Sequence, residues 1–357
     1  MRARAPTTAR NRLAATLQRT WQARGAFSAL LLPAAWTFEA VATIRRGLFS
    51  HGFRESAKLP VPVVVVGNLL VGGAGKTPTV IAIVALLVRH GYRPGIVSRG
   101  YGRRSEDVAL VDADASADRV GDEPLLLRKR SGAPVAVGAD RVAAGHALLR
   151  AHPEVDVVVS DDGLQHLALD RDVEVLVFDE RGVGNGRCLP AGPLREALPP
   201  SLGPHQLVLY NADRATTPLP GHLARRELAG LAPLAAWWAG APAESASVAA
   251  LRDKTALAVA GIARPERFFA MLRAQGLAID ELPLPDHAEF AAIPWPRAVA
   301  DVIVTEKDAV KLPPTRPLGA RVWVARLDFV PDPAFDAALL ALLPPPSSDD
   351  RHGNTAP

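Results

Sequence analysis

The sequence predicts an α/β fold: a parallel sheet between two layers of helices, then a second, smaller α/β unit, with an amphipathic helix ahead of both. Three observations carry this expectation. Short β-branched runs alternate with helix-length segments from residue 62 onward. Two of those runs, VVVV at 63–66 and VDVVV at 155–159, are apolar on both faces, as central parallel strands are, and a glycine-rich turn joins the first run to a helical segment. At 357 residues, 48% hydrophobic and 22% charged, the chain is long enough for about two domains and has ordinary globular composition. That composition excludes wholesale disorder, a collagen-like repeat and a polytopic membrane protein. A single cysteine, Cys188, excludes an internal disulfide framework and a cysteine-rich metal site, and leads us to expect a cytoplasmic setting.

The first element is the arm. Residues 1–25 hold six arginines and no acid, so within a net charge of +4 the other 332 residues carry −2. A body that is not basic argues against nucleic-acid binding, which needs Lys and Arg spread over a docking face; a basic arm suits an anionic membrane surface. The uncharged run AFSALLLPAAWTF at 26–38 contains Pro33 and falls short of the roughly 20 apolar residues that span a bilayer. From Pro33 a helix would set Phe38, Val41, Ile44 and Leu48 in one stripe beside Arg45 and Arg46, the pattern of an interfacial helix. A helix packed on the protein's own core has the same pattern, and a signal peptide lacks a convincing cleavage site here.

The body follows in order, with strand or helix segments at 62–66, 79–89, 95–98, 108–111, 124–130, 135–137, 141–150, 155–159, 173–178 and 206–210. Between about 215 and 250 the chain turns to Pro, Ala and Gly with little strand character, and a domain junction is expected there. A shorter series follows at 256–260, 265–275, 299–304 and 321–325, and the polar, Pro-rich tail from 345 is expected to be disordered. The expected division is an arm at 1–50, a larger domain at 51–235, a smaller one at 236–344 and a tail at 345–357.

The strand at 63–66 runs into GNLLVGGAGKTP at 67–78. A Gly-rich turn at a helix N-terminus points backbone N–H groups at phosphate, while a lysine reaches the β- and γ-phosphates and the next hydroxyl binds Mg²⁺. Lys76 and Thr77 fit those two roles, and Gly72, Gly73, Ala74, Gly75 and Pro78 complete the loop. Leu70 stands where the strict pattern has its first glycine. Only six lysines stand against 35 arginines, so a lysine in a motif is unlikely to be there by chance.

A nucleotide site of this kind needs an acid at a neighbouring strand end for Mg²⁺. SDDGLQH offers Asp161 and Asp162, followed by Gln165 and His166; FDERG offers Asp179, for which a solvent-exposed strand end is an equal reading. VGDEP places Asp122 and Glu123 before a helix, where an acid alone reads as a cap. SRGYGRR at 98–104 supplies Arg99, Tyr101, Arg103 and Arg104 for phosphate, or a solvated basic loop. His287, in PDHAEF, alone reads as a surface histidine.

Taken together, GNLLVGGAGKTP, SRGYGRR, VGDEP, GADR (138–141), SDDGLQH, GNGRCLPAGPLRE (184–196), AGIARPERFF (260–269), DHAEF and VTEKDAVKL (304–312) resemble, in order and spacing, the tetraacyldisaccharide 4'-kinase family of lipid A biosynthesis over residues 25 to 315. The resemblance implies a P-loop kinase domain and a smaller α/β domain with a cleft between them, and an N-terminal membrane-associating helix. It implies transfer of the γ-phosphate of ATP, with Mg²⁺, to the 4'-hydroxyl of an acylated glucosamine disaccharide 1-phosphate. The product would be lipid IVA, made at the cytoplasmic face of the inner membrane, with no nucleic acid and no protein partner involved. By the same resemblance Asp122 is the catalytic base oriented by His287, Lys76 and Thr77 bind phosphate and metal, and Asp161 and Asp162 serve the metal. Asn68, Arg99, Tyr101, Glu123, Arg141, Gln165, His166 and Arg195 would line the site. Thr305 to Asp308 offer a weaker analogy to a base-reading loop. The alternatives are a P-loop switch ATPase, against which Val71 counts because such switches carry a lysine there, and a soluble sugar kinase.

Overall fold

The computed structural model describes residues 21, 23–103, 105–112 and 114–347. Arginines 2, 4, 10, 12, 19 and 104 and the tail beyond 347 lie outside the described residues. The strands are β1 (Val63–Gly67), β2 (Pro94–Ser98), β3 (Ala109–Leu110), β4 (Val135–Val137), β5 (Val157–Asp161), β6 (Val173–Asp179), β7 (Gln206–Asn211), β8 (His222–Pro233), β9 (Thr255–Ala260), β10 (Ala278–Pro283), β11 (Asp301–Thr305) and β12 (Arg321–Pro331). They form one sheet in the order β10-β9-β11-β12-β8-β7-β6-β1-β5-β2-β4-β3. The expected parallel core is present: β1 pairs in parallel with both β5 and β6.

Side chains alternate across a strand, so the VVVV run feeds two cores at once. Val64 and Val66 pack with Val80, Ile83, Val84 and Leu87 of the helix Lys76–Arg89, while Val63 and Val65 pack with Ala144 and Leu148 of the helix Arg141–Ala151. All four valines are at most 2% exposed, each worth about 1.5–3 kcal/mol of burial. This coverage holds β1 rigid and fixes where its C-terminal turn emerges.

The stretch at 215–250 departs from the expectation of little strand character. It contains β8, twelve residues long, which runs parallel to β7 and antiparallel to β12 and so joins the two halves of the sheet. Its sequence, HLARRELAGLAP, lacks β-branched residues; pairing with β12 makes it a strand, a non-local cause that a local reading misses. The edge strand β10, AIDELP, was missed for the same reason, and its acids suit an unpaired edge.

The arm forms the helices Ala26–Leu30 and Leu32–Ser50, the second with Pro33 in its first turn, where proline costs no hydrogen bond. It is tied down by polar contacts. Ser28 Oγ donates to Ala191 O at 2.6 Å, and Arg46 donates to Glu196 at 2.7 Å. Its apolar side chains face outward: Leu30 is 75% exposed, Trp36 62%, Val41 60% and Ile44 62%. Among the described residues no helix is long and apolar enough to cross a membrane.

Candidate active site

The carboxyl ends of β1, β2 and β5 open into a cleft of about 1570 Å³, lined from the C-terminal half by His287, Glu306 and Lys307. Ligands of open α/β sheets bind at that edge. The phosphate loop turns on Gly72 at φ +95° and Gly75 at φ +99°, conformations that cost a glycine nothing. Gly75 caps the helix Lys76–Arg89, so the first N–H groups of that helix are unpaired and face the cleft. Asn68, fully buried, shapes the loop: its Nδ2 donates to Gly72 O at 3.2 Å and its Oδ1 accepts from Lys76 Nζ at 3.2 Å. Asn211 Nδ2 donates to Ala74 O at 3.0 Å, and Thr77 and Pro78 line the cleft beside them.

The two adjacent acids differ. Asp161 is 2% exposed; its Oδ2 accepts from Ser98 Oγ at 3.1 Å, while its buried Oδ1 has no hydrogen-bond partner. Burial, with the charges of Glu123 and Asp162, pushes its carboxyl up to about 7 against the pull of Lys76. Asp162, at φ +49°, turns into the cleft and pairs with Lys76 Nζ at 3.4 Å and Arg195 at 3.1 Å. Burial raises it, but those two cations win and hold it below the ordinary value. An orphaned, buried carboxylate oxygen on a residue that lines the same cleft as Thr77 fits Mg²⁺, which takes one or two carboxylates and completes its shell with phosphate and water. Among the described residues no group of three or more His, Cys, Asp or Glu could hold an ion by itself.

On the opposite wall His287 Nδ1 lies 3.0 Å from Asp122 Oδ2. Asp122 is 7% exposed, and its Oδ1 accepts from Glu123 N at 3.0 Å. Burial pushes Asp122 up, yet the His287 hydrogen bond and the charges of Lys307, His287 and Lys311 outweigh it and hold it at about 2. His287 is raised in turn, chiefly by that bond. The Tyr101 ring lies against it, tilted by 57° with the centroids 5.4 Å apart. Between the walls, Arg141 is buried and donates to Gly138 O, Ala139 O and Asp162 O. Burial and Arg141 lower His166 to about 4, so it is a neutral imidazole at pH 7. Gln165 accepts from Arg195 at 3.1 Å, and exposed Arg99 lines the same cleft.

The structure brings Lys76, Thr77, Arg99, Tyr101, Glu123, Arg141, Asp161, Asp162, Gln165, His166, Arg195 and His287 to the lining of one cleft, with Asp122 held against His287, while Arg104 lies outside the described residues. It also corrects one reading. Asp179 is not a solvated strand end: it is 1% exposed and accepts from Arg181 Nε at 3.0 Å, and Arg181 reaches over to Val71 O and Gly73 O of the phosphate loop. Much of the polar surface of Thr305 to Asp308 is engaged within the protein. Thr305 caps a helical turn, Glu306 accepts from Trp237 and Arg130, and Asp308 accepts from Gly261 N at 3.0 Å. Lys307 belongs with the catalytic wall, its Nζ 3.1 Å from both Glu123 Oε1 and His287 Nε2. The signal for it was present: VTEKDAVKL carries two of the chain's six lysines.

The family model for tetraacyldisaccharide-1-P 4'-kinase matches residues 27–344. A tetraacyldisaccharide 4'-kinase of Methylibium petroleiphilum is 57% identical over 93% of this chain and 94% of its own, and one of Leptothrix cholodnii is 56% identical over 94% and 97%. The crystal structure of LpxK from Aquifex aeolicus in complex with ATP superposes with a TM-score of 0.73 at 26% identity, covering 89% of this chain and all of the other.

Proposed function

The chain belongs to the tetraacyldisaccharide-1-P 4'-kinase family, and from that premise we propose how its side chains carry out the transfer. The protein is an ATP-dependent phosphotransferase of lipid A biosynthesis with an alcohol acceptor, the 4'-hydroxyl of tetraacyldisaccharide 1-phosphate, and its product is lipid IVA. Neither a switch ATPase nor a soluble sugar kinase finds support in that match.

Asp122 is the catalytic base. A carboxylate held at about 2 is a weak base, so it takes the hydroxyl proton late, as the bond to phosphorus forms. His287 fixes its orientation through Nδ1, and Lys307, 3.1 Å from Nε2, favours the tautomer with its proton on Nδ1. The pair contributes orientation and proton acceptance together, about 10² to 10⁴ in rate. Lys76, steered by Asn68 and Asp162, meets charge growing on the β/γ bridge. Asp161 and Thr77 would hold Mg²⁺, and Asp162 would serve the same ion while positioning Lys76; the ion would supply charge neutralisation for the phosphates. Arg99, Tyr101, Glu123, Arg141, Gln165, His166 and Arg195 line the acceptor end, where three guanidinium groups suit an anionic substrate.

The observation that carries this reading is the contact of Asp122 with His287, which lines the same cleft as Lys76 and Asp161. The outward apolar face of the arm helix supports attachment to an anionic bilayer, and we assign the protein to the cytoplasmic face of the inner membrane without crossing it. The direct test is incubation with ATP, Mg²⁺ and the disaccharide 1-phosphate. A second phosphate on the sugar is expected, and ATP consumption without it overturns the assignment.

A further inference from the structure

We propose that Arg226, carried to the phosphate loop by strand β8, grips the phosphates of ATP that are not transferred and so holds the ADP leaving group. The proposal deepens the kinase reading and rests on it.

Arg226 occupies an interior position on its strand. Residues two apart on a strand share a face, and Ala224, two before it, is buried in the core beside β1 and the phosphate-loop helix. Its guanidinium reaches the loop itself: a Cβ built on Gly75 would stand 3.0 Å from Arg226 NH2. At that point the chain enters the helix Lys76–Arg89, whose first N–H groups are free to bind phosphate.

The guanidinium lines the cleft, partly withdrawn from water, and has no ion-pair partner among the described residues. Its Nε is buried with no hydrogen-bond partner. Burial lowers its pKa; Asp179 opposes that shift and Arg264 adds to it. Asp179 is not free to neutralise it, because Arg181 Nε lies 3.0 Å from both of its oxygens and Arg264 lies 3.8 Å from one. The other arginines of this wall are matched: Arg264 pairs with Glu180 at 3.0 Å, and Arg267 pairs with the same acid. A charge partly withdrawn from water without a partner is costly, so the apo protein holds a site shaped for an anion.

The sheet order selects which phosphate. From β1 the order runs one way through β6 and β7 to β8, and the other way through β5 to β2 and β4. Asp161 and Asp162 stand at the end of β5, so the metal acids lie on the side of the loop away from β8. The γ-phosphate must face those acids and the acceptor, which leaves the α- and β-phosphates for the β8 side. Arginine suits the task, since its planar fork binds two phosphate oxygens at once.

The test titrates the full-length protein in detergent with MgATP and MgADP, for wild type, Arg226→Met and Arg226→Lys, and records the melting temperature of each without nucleotide. The Met variant should bind both nucleotides at least tenfold more weakly, with Lys in between, and should melt no lower than wild type, because it loses an unpaired, partly buried charge. An unchanged Kd for ADP in a folded variant overturns the proposal, and so does a loss confined to ATP, which would move Arg226 to the γ-phosphate. A lower melting temperature with unchanged Kd overturns it in favour of a structural role. Should Arg226→Met not fold, the ADP criterion is applied to Arg226→Lys. Failure of the wild type to bind either nucleotide is a separate outcome and overturns the kinase reading itself.

Discussion

His287 Nδ1 stands 3.0 Å from Asp122 Oδ2, although 165 residues separate them in the chain. One comes from the turn entering the helix Asp122–Ser131, the other from a loop after β10 at φ +59°, a conformation uncommon for histidine. Strain of that kind persists where the surroundings hold it, and here Asp122, Lys307 and the Tyr101 ring surround the imidazole.

Because the two side chains act as one unit, Asp122→Ala and His287→Ala should each lower kcat by about 10² or more. The double variant should be little worse than the poorer single. Single-turnover rates at saturating ATP decide this: losses that multiply would show independent roles for the two residues.

Much of this site was legible in the sequence because each half of it is local. The loop 72–78 is a contiguous pattern between a strand and a helix, and Asp161 and Asp162 end a run of valines, so periodicity alone sets them at the sheet edge. The pairing of Asp122 with His287 was not legible from spacing and came only through family resemblance; each residue alone reads as a cap or a surface group. Arg181 and Arg226 were hidden for a further reason. Their roles depend on non-local pairings, β6 with β1 for Arg181 and β8 with β12 for Arg226, and a strand made of Ala, Arg and Glu has no local signature.

The Asp179–Arg181 brace predicts a separation between binding and chemistry. Asp179→Asn should loosen Arg181 from Val71 O and Gly73 O and so raise the Kd for ATP by about tenfold, with a smaller effect on kcat. Asp161→Asn should do the reverse, lowering kcat far more than it weakens ATP binding. A larger fall in kcat for Asp179→Asn than for Asp161→Asn would mean that the metal acid is on β6.

The arm makes a prediction independent of catalysis. Trp36, Val41 and Ile44 are each at least 60% exposed, so replacing all three with Ser should leave the melting temperature in detergent unchanged. Burying side chains of this type contributes about 1.5 kcal/mol or more apiece, so partitioning onto anionic vesicles should fall by roughly 10²-fold or more. Flotation of the variant with vesicles as readily as wild type would place the attachment surface elsewhere.

The last prediction concerns competition between Mg²⁺ and a proton at Asp161. Its carboxyl is raised to about 7 by burial and by Glu123 and Asp162, against an ordinary value of 3.8. The sign follows. The folded protein without metal keeps a proton there that the unfolded chain gives up, so this group removes stability as pH rises from about 4 to about 7. A metal must displace that proton below pH 7 and need not above it. Wild-type affinity for Mg²⁺ in the presence of ADP should therefore fall about tenfold per unit below pH 7 and level off above, beyond whatever the nucleotide's own protonation contributes. Asp161→Asn keeps the nucleotide and removes the carboxyl, so the ratio of the two affinities isolates the residue. That ratio should rise between pH 5.5 and 7 and then stay flat. A ratio independent of pH over that window would show that Asp161 is not the group that meets the metal, and Asp162, already ionised beside Lys76 and Arg195, would take its place.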